Sequence, residues 1–245
     1  MLSIDEIPAE AVNTYTRSIV MDIKLTQLFF AFFLRTEFVD IADTEKEIRK
    51  LVYGFDKANK QTFPNIQFPQ GVPTPNLPLF SLVFNQQTIT VHKDKIEYSL
   101  NGIYDDKDYD DCIGFFAATV KPIVSFCTSE DNICSRVGIV NNTFIVTDNQ
   151  DDLIKKSFFK ENISNINNIT LSYIRYNKYE DINIVELNSI SQGILNTKPS
   201  QNGILIIRDI NIPQKRKKIT ESDIDIFIKN AFPCIKKSSM IKDIS

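Results

Sequence analysis

Few residues in this chain have types and spacing that bear on chemistry. Lys215-Arg216-Lys217-Lys218 is its one concentrated run of cations. Four adjacent cations could grip phosphates, with an affinity that falls steeply as salt rises. The ordinary state of a charge run is a solvated loop. Arg136, Arg175 and Arg208 fall on predicted strands and would extend the patch if their side chains shared a face. Tyr173, Tyr176 and Tyr179 are interleaved nearby, around Arg175. Aromatic rings beside cations serve single-strand nucleic-acid binding, and rings on strands also serve sheet packing. The candidate nucleic-acid or phosphate-binding set is therefore Lys215, Arg216, Lys217, Lys218, Arg136, Arg175 and Arg208.

Other chemistries have thinner support. His92 is the single histidine. It follows Val91 near a strand end, so it is expected at an exposed turn. No GxSxG or other nucleophile elbow accompanies it. Asp105–Asp111 is rich in acids, but a calcium loop also needs a central glycine and a bidentate Glu at position twelve. These acids read instead as the start of a helix, where free amides and the helix dipole favour negative charge. Asp108, Asp111 and Glu130 are the scattered acids from which an enzyme site would be built. The chain holds seven glycines and neither GxxxxGK[ST] nor GxGxxG, so phosphate-cradling loops of those kinds are absent. Cys112, Cys127, Cys134 and Cys234 show no CxxC spacing and no partner histidines, which argues against zinc. No cofactor, no metal and no catalytic residue is expected.

Composition sets the bounds. The net charge is −3, with 42% hydrophobic and 24% charged residues, as in an ordinary globular protein. That balance gives no global attraction to nucleic acid or anionic membrane. The most apolar stretch is Ile19–Leu34. A membrane span needs about 18 uninterrupted apolar residues, and Asp22, Lys24 and Gln27 interrupt this one. It is expected to be a buried strand rather than a membrane segment. No secretory signal is read at the start, so a reducing cytoplasm is the expected compartment.

The elements that must position these residues follow from periodicity. Thr44-Glu45-Lys46-Glu47 predicts a capping box, with Ile48, Leu51, Val52 and Phe55 as the helical stripe behind it. Five prolines between Phe63 and Pro78 predict an extended linker. Leu79–Phe84, Thr88–His92 and Lys95–Leu100 alternate as an antiparallel meander. A helix follows from about Asp106, with Pro122 expected to kink or end it. Arg136–Val140 and then Phe144-Ile145-Val146 read as strand, with Asn141-Asn142 as a turn or bulge between them. Asp148–Phe159 predicts a helix, Ile169–Ile184 a hairpin turning at 177–181, Pro199–Gly203 a turn, and Ile204–Ile212 a strand. Thr220 and Asp223 predict a second capping box, with Ile219 and Ile224 as its staple. Pro233 should end that helix and leave 234–245 as a loose tail.

The expected fold class is α+β, an antiparallel sheet or sheets with helices on one face, in one body or in two sheet-plus-helix subdomains. The expected units are 1–62, a linker at 63–78, a central unit at 79–148 and a second sheet-and-helix unit at 149–245. Phe80-Ser81-Leu82-Val83-Phe84, Thr88-Ile89-Thr90-Val91, the helix near 106–126 and Arg136-Val137-Gly138-Ile139 occur in that order. In this the chain resembles an uncharacterised, sporadically distributed bacterial family of about this size. The resemblance covers Phe80–Asp148, and more faintly Arg208-Asp209-Ile210-Asn211 with the last helix. The chain departs from it after the glycine strand, where Val140 and Asn141 replace aromatic and basic residues. The resemblance implies no activity, and a sporadic distribution would suit a phage-conflict or mobile-element protein. Three functions are expected in order: a non-catalytic binding or regulatory protein with a protein partner, a nucleic-acid-binding protein using 215–218, and an enzyme with scattered acids. Self-association is compatible with all three.

Overall fold

The computed structural model describes residues 21–38, 40–63, 77–129, 134–159, 167–213, 219–242 and 244. The strands are β1 (Asp22–Leu34), β2 (Asn59–Thr62), β3 (Phe80–Phe84), β4 (Gln87–Val91), β5 (Lys95–Tyr104), β6 (Cys134–Val146), β7 (Thr170–Tyr179), β8 (Ile182–Leu195) and β9 (Gln201–Ile212). The helices are α1 (Ile41–Leu51), α2 (Tyr109–Ser129), α3 (Gln150–Phe158), α4 (Glu221–Ile235) and α5 (Lys237–Lys242). All the strands join one antiparallel sheet in the order β2-β3-β4-β5-β1-β6-β9-β8-β7. The fold is α+β.

From Asp22 to Leu34 the most apolar stretch of the sequence forms the middle strand. β1 pairs with β5 on one side and β6 on the other. Ile23, Leu25, Leu28, Phe30, Phe32 and Leu34 are buried on one face. A register shift between Leu25 and Gln27 explains why the apolar positions change parity there, as one extra residue does in a bulge. The same face carries Tyr98, Ile139 and Ile210, also buried. The helices cover that face. Phe116 of α2 stacks on Tyr98 at 5.0 Å between ring centroids, Phe158 of α3 meets Tyr173, and Glu45 of α1 pairs with Lys60.

Several expectations are corrected. Asn141-Asn142 is no turn: β6 runs through it as one 13-residue strand, because the Asn141 amide donates to Tyr109 and the Ile235 carbonyl in the helices above and the Asn142 amide donates to Gln27 on β1. Helix α1 starts earlier, with Asp40 as its cap accepting from the Asp43 amide at 2.9 Å. Thr44 lies inside and bonds back to the Asp40 carbonyl. Pro122 and Pro233 both sit within helices. The apolar stripe continues past each, through Ile123, Val124 and Cys127 in α2 and Ile235 in α4, all buried. The turn at 177–181 narrows to Glu180-Asp181, since Asn177 to Tyr179 stay paired with β8. Gly203 belongs to β9. A Cβ there would collide with the Ile145 carbonyl and the Phe144 ring, which lies across that strand. The C-terminal tail is docked as α5, with Met240 and Ile244 buried. The capping box of α4 is present, Thr220 and Asp223 each bonding the other's backbone, and Ile219 and Ile224 are buried beside it. Most of the proline-rich linker lies outside the described residues.

The chain order strand, helix, three-strand meander, helix occurs twice. The first pass is β1, α1, β3-β4-β5, α2, and the second is β6, α3, β7-β8-β9, α4. In each, the last meander strand returns to pair with the first strand. The two passes meet where β1 and β6 run antiparallel, as a two-fold through that seam would place them. The helices that close them match in detail. Ile113, Phe116, Val120, Pro122 and Val124 of α2 have the spacing of Ile224, Phe227, Ala231, Pro233 and Ile235 of α4. Each apolar member of both sets is buried.

Candidate functional site

Two groups of polar side chains stand out, one under the helices and one on the opposite face. Under the helices, Asn141, Arg208 and Asn188 lie side by side on β6, β9 and β8. Arg208 is 0% exposed. Its Nε donates to Asn188 Oδ1 at 2.8 Å and stands 3.1 Å from Glu186 Oε1. Its Nη1 donates to Ser239 Oγ at 3.1 Å and to the Cys234 carbonyl. Beside it, Asn141 Nδ2 and the Tyr109 hydroxyl reach the Ile235 carbonyl at 3.4 and 3.3 Å. The carbonyls at a helix C-terminus lack intrahelical donors and carry partial negative charge. Arg208, Asn141 and Tyr109 therefore cap the end of α4 from below. The cluster is closed and holds α4 to the sheet.

This fixes the places of the predicted cations. Arg208 is spent inside the protein, out of reach of an external phosphate. Arg175 is exposed at its outer end but points to the same helix-covered face, 3.4 Å from Glu186 and over the Tyr173 ring at 5.0 Å. Arg136 lies on the opposite face. The three arginines thus do not share a face. Lys215, Arg216, Lys217 and Lys218 lie outside the described residues, and so does Glu130. The flanks of that stretch are anchored near Arg136: Ile212 pairs with Val137 and Ile219 bridges to Cys134.

The face away from the helices is open among the described residues. Its rows run across the strands. Lys95, Phe33 and Arg136 form one, with Lys95 Nζ and Arg136 Cζ 5.6 and 5.5 Å from the Phe33 ring centre. Two rows on, Ser99, Phe29, Val140, Asp209, Leu187 and Ile174 cross six strands. The next row is an amide ladder: Asn142 donates to Gln27 at 2.8 Å and Gln27 to Asn101 at 2.9 Å. Toward β7 the surface becomes apolar and exposed, with Ile174 51%, Tyr176 75% and Leu187 39% accessible. Sequence reasoning missed this surface because the strand pattern does not tell which polar-face neighbours meet across strands.

His92 is buried, against expectation, with Nε2 3.2 Å from Glu97 Oε2. Its backbone N–H bonds the Lys95 carbonyl across the β4–β5 turn, which draws the ring back onto β5. Burial pushes the Glu97 carboxyl up, but the hydrogen bonds with His92 and Lys95 together outweigh it and hold the group below the usual range.

The acids near α2 are engaged in holding elements together. Asp105 binds Lys24 at 3.0 Å, Asp106 binds Lys237 at 2.5 Å, and Asp110 accepts from the Lys237 amide. Asp108 and Asp111 line a groove of about 370 Å³ with Gln86, Tyr104, Cys112 and Phe115. Burial, and then the charges of Asp108 and Asp111, push the Cys112 thiol up. The groove is therefore no place for a thiolate nucleophile, which needs a lowered pKa. Burial likewise raises Cys134 to about 12 and keeps Cys127 protonated. No group of three or more His, Cys, Asp or Glu suited to a metal occurs among the described residues. Helix α2 is long and apolar enough over Tyr109–Thr128 to cross a membrane by length and composition, and here its apolar stripe lies on the sheet. Compared with protein-family models and with curated proteins, the chain matches none.

Proposed function

We propose that the protein is a non-catalytic binding module that engages a partner protein through the open face of its sheet. The observation that supports this is the row Phe29, Val140, Asp209, Leu187 and Ile174. It sets four apolar side chains around one acid on a surface that no described helix covers. An uncovered apolar sheet face of this extent is what interaction surfaces use. A bacterial or phage conflict setting rests on the resemblance of Phe80–Asp148 alone.

A second reading, nucleic-acid binding, has its own support in Lys95, Phe33 and Arg136. Two cations flanking a ring on an open sheet could stack a base and hold a phosphate. It would use Arg136 without Arg175 and Arg208.

A photo-crosslinking residue placed at Leu187, and in a separate variant at Asp225 on the exposed side of α4, distinguishes these readings in the native cell. Capture of one defined protein from position 187 only, abolished by Val140→Asp, is the expected result. Capture of nucleic acid, abolished by Lys95→Ala with Arg136→Ala, favours the second reading. Equal capture from both positions removes both.

A further inference from the structure

We propose that β7 is a self-association edge, at which two copies pair their β7 strands antiparallel about a two-fold and extend the sheet. This does not depend on the reading of the open face. Among the described residues the two outer strands of the sheet are unlike. β2 is four residues long, and Lys60 on it is held by Glu45. β7 has ten residues, paired with β8 along its whole inner side. The molecule already shows what such an edge accepts. In the repeated topology the counterpart of β7 is β3, and β3 carries an added antiparallel strand, β2, from Thr62 opposite Phe80 to Asn59 opposite Val83.

The hairpin geometry says which groups β7 offers. Its two-residue turn, Glu180-Asp181, makes Tyr179 and Ile182 a hydrogen-bonded pair. Alternation then turns the amides and carbonyls of Ser172, Ile174, Tyr176 and Lys178 outward. Ile174 and Tyr176 are also the most exposed apolar side chains of the strand.

The sequence of β7 chooses the register. Two centres give nearly full overlap while keeping each side chain on its own face. A centre at Arg175 sets that cation directly against its copy, which is unfavourable. A centre at Ile174 sets Ile174 against its copy, Ser172 against Tyr176, Thr170 against Lys178, and Tyr173 against Arg175. The last pair repeats across the two-fold the ring–guanidinium contact that Arg175 already makes with Tyr173. It also joins the exposed Ile174 and Leu187 of both copies into one apolar patch.

The test is the mass of the full-length chain by light scattering over a concentration series. A dimer is expected at the upper end. Ile174→Pro removes an outward N–H, which an edge strand tolerates, so it should leave the far-UV spectrum unchanged and abolish the dimer. Ile174→Lys, which keeps the backbone, should weaken it at least tenfold. Under mild oxidation Ile174→Cys should form a linked dimer above the wild-type baseline, because a hydrogen-bonded pair brings Cα atoms to about 5.5 Å. Tyr176→Cys should not, its copies being about 13 Å apart along the strands. A chain that stays monomeric overturns the proposal, as does a dimer that survives both Ile174→Pro and Ile174→Lys. Amides of β7 protected in a monomer would mean that the chain fills this edge itself, and would also overturn it. Linking at 176 but not at 174 overturns the register.

Discussion

Arg208 and Glu186 meet where neither can reach water, and this shapes what their loss would do. An ion pair of this kind gives back most of its attraction in desolvation, yet one partner left alone is expensive. Arg208→Met leaves Glu186 with the half-exposed Arg175 and strips the α4 carbonyls of a donor. The expected cost is about 3–5 kcal/mol, read from urea unfolding, with much of it recovered in the double variant Arg208→Met, Glu186→Met. If the single and double variants unfold together, the cap at Cys234 and not the charge pair carries the energy. Glu97 behaves differently, because it is partly wetted and its neighbours hold its folded pKa below the usual value of 4.5. A carboxyl depressed in the fold adds stability that is present above its unfolded pKa and lost as the pH falls through the folded one. Stability should therefore drop below about pH 4.5 more steeply in the wild type than in Glu97→Gln, a difference that parallel unfolding curves at several pH values will show. Equal slopes would mean that the His92 and Lys95 contacts do not persist in solution.

The elements show which parts of this fold were legible in the chain and which were not. The capping box of α4 was readable because both partners lie within four residues and serve the backbone locally. Thr220→Ala should cost about 1 kcal/mol in chemical denaturation, and an unchanged midpoint would show that tertiary packing alone sets the helix start. The meander β3-β4-β5 was equally readable, since its alternation and short turns are local. Pro122 and Pro233 misled for a physical reason. A proline inside a helix costs about 3 kcal/mol, but each buried aliphatic side chain beyond it contributes about 1.5–3 kcal/mol. Ile123, Val124 and Cys127 in α2 are enough to carry the helix on. Asn141 misled in the same way. Asparagine pairs favour turns in isolation, and only the distant Tyr109 and Ile235 make position 141 a strand interior. The candidate cations were legible as charges, but their faces were not. One register decides that Arg136 looks outward while Arg208 is sealed under α4. The repeated order of strand, helix, meander and helix left only a trace in sequence, the shared spacing around Phe116 and Phe227, because packing conserves the stripe positions and little else.

At the scale of the molecule the seam between β1 and β6 decides how the protein holds together. The first described strand lies in the middle of the sheet, so neither half can complete its core alone. Residues 21–129 end with β1 exposed along its full length, and residues 134–244 begin with β6 in the same state. Each half would present a 13-residue unpaired edge, the condition that drives strand pairing and aggregation. The two edges are complementary, since Phe30 meets Ile139 and Phe32 meets Val137 across the seam, with α2 packed against α4 above it. A chain broken between Ser129 and Cys134 and expressed as two fragments should therefore reassemble one to one when the fragments are made together. Each made separately should be insoluble. Hydrogen exchange on the reassembled protein should be slowest in β1 and β6 and fastest in β2, because opening the seam requires global unfolding while the outermost strand can fray. Two fragments that fold independently as soluble monomers would contradict this, and would make the halves domains that merely adjoin. The seam explanation also requires that a charge there act on both halves at once. Ala31→Asp, set between Glu97 and Gly138, should lower the protection of β5 and of β9 together, and a loss confined to one side would contradict the coupling.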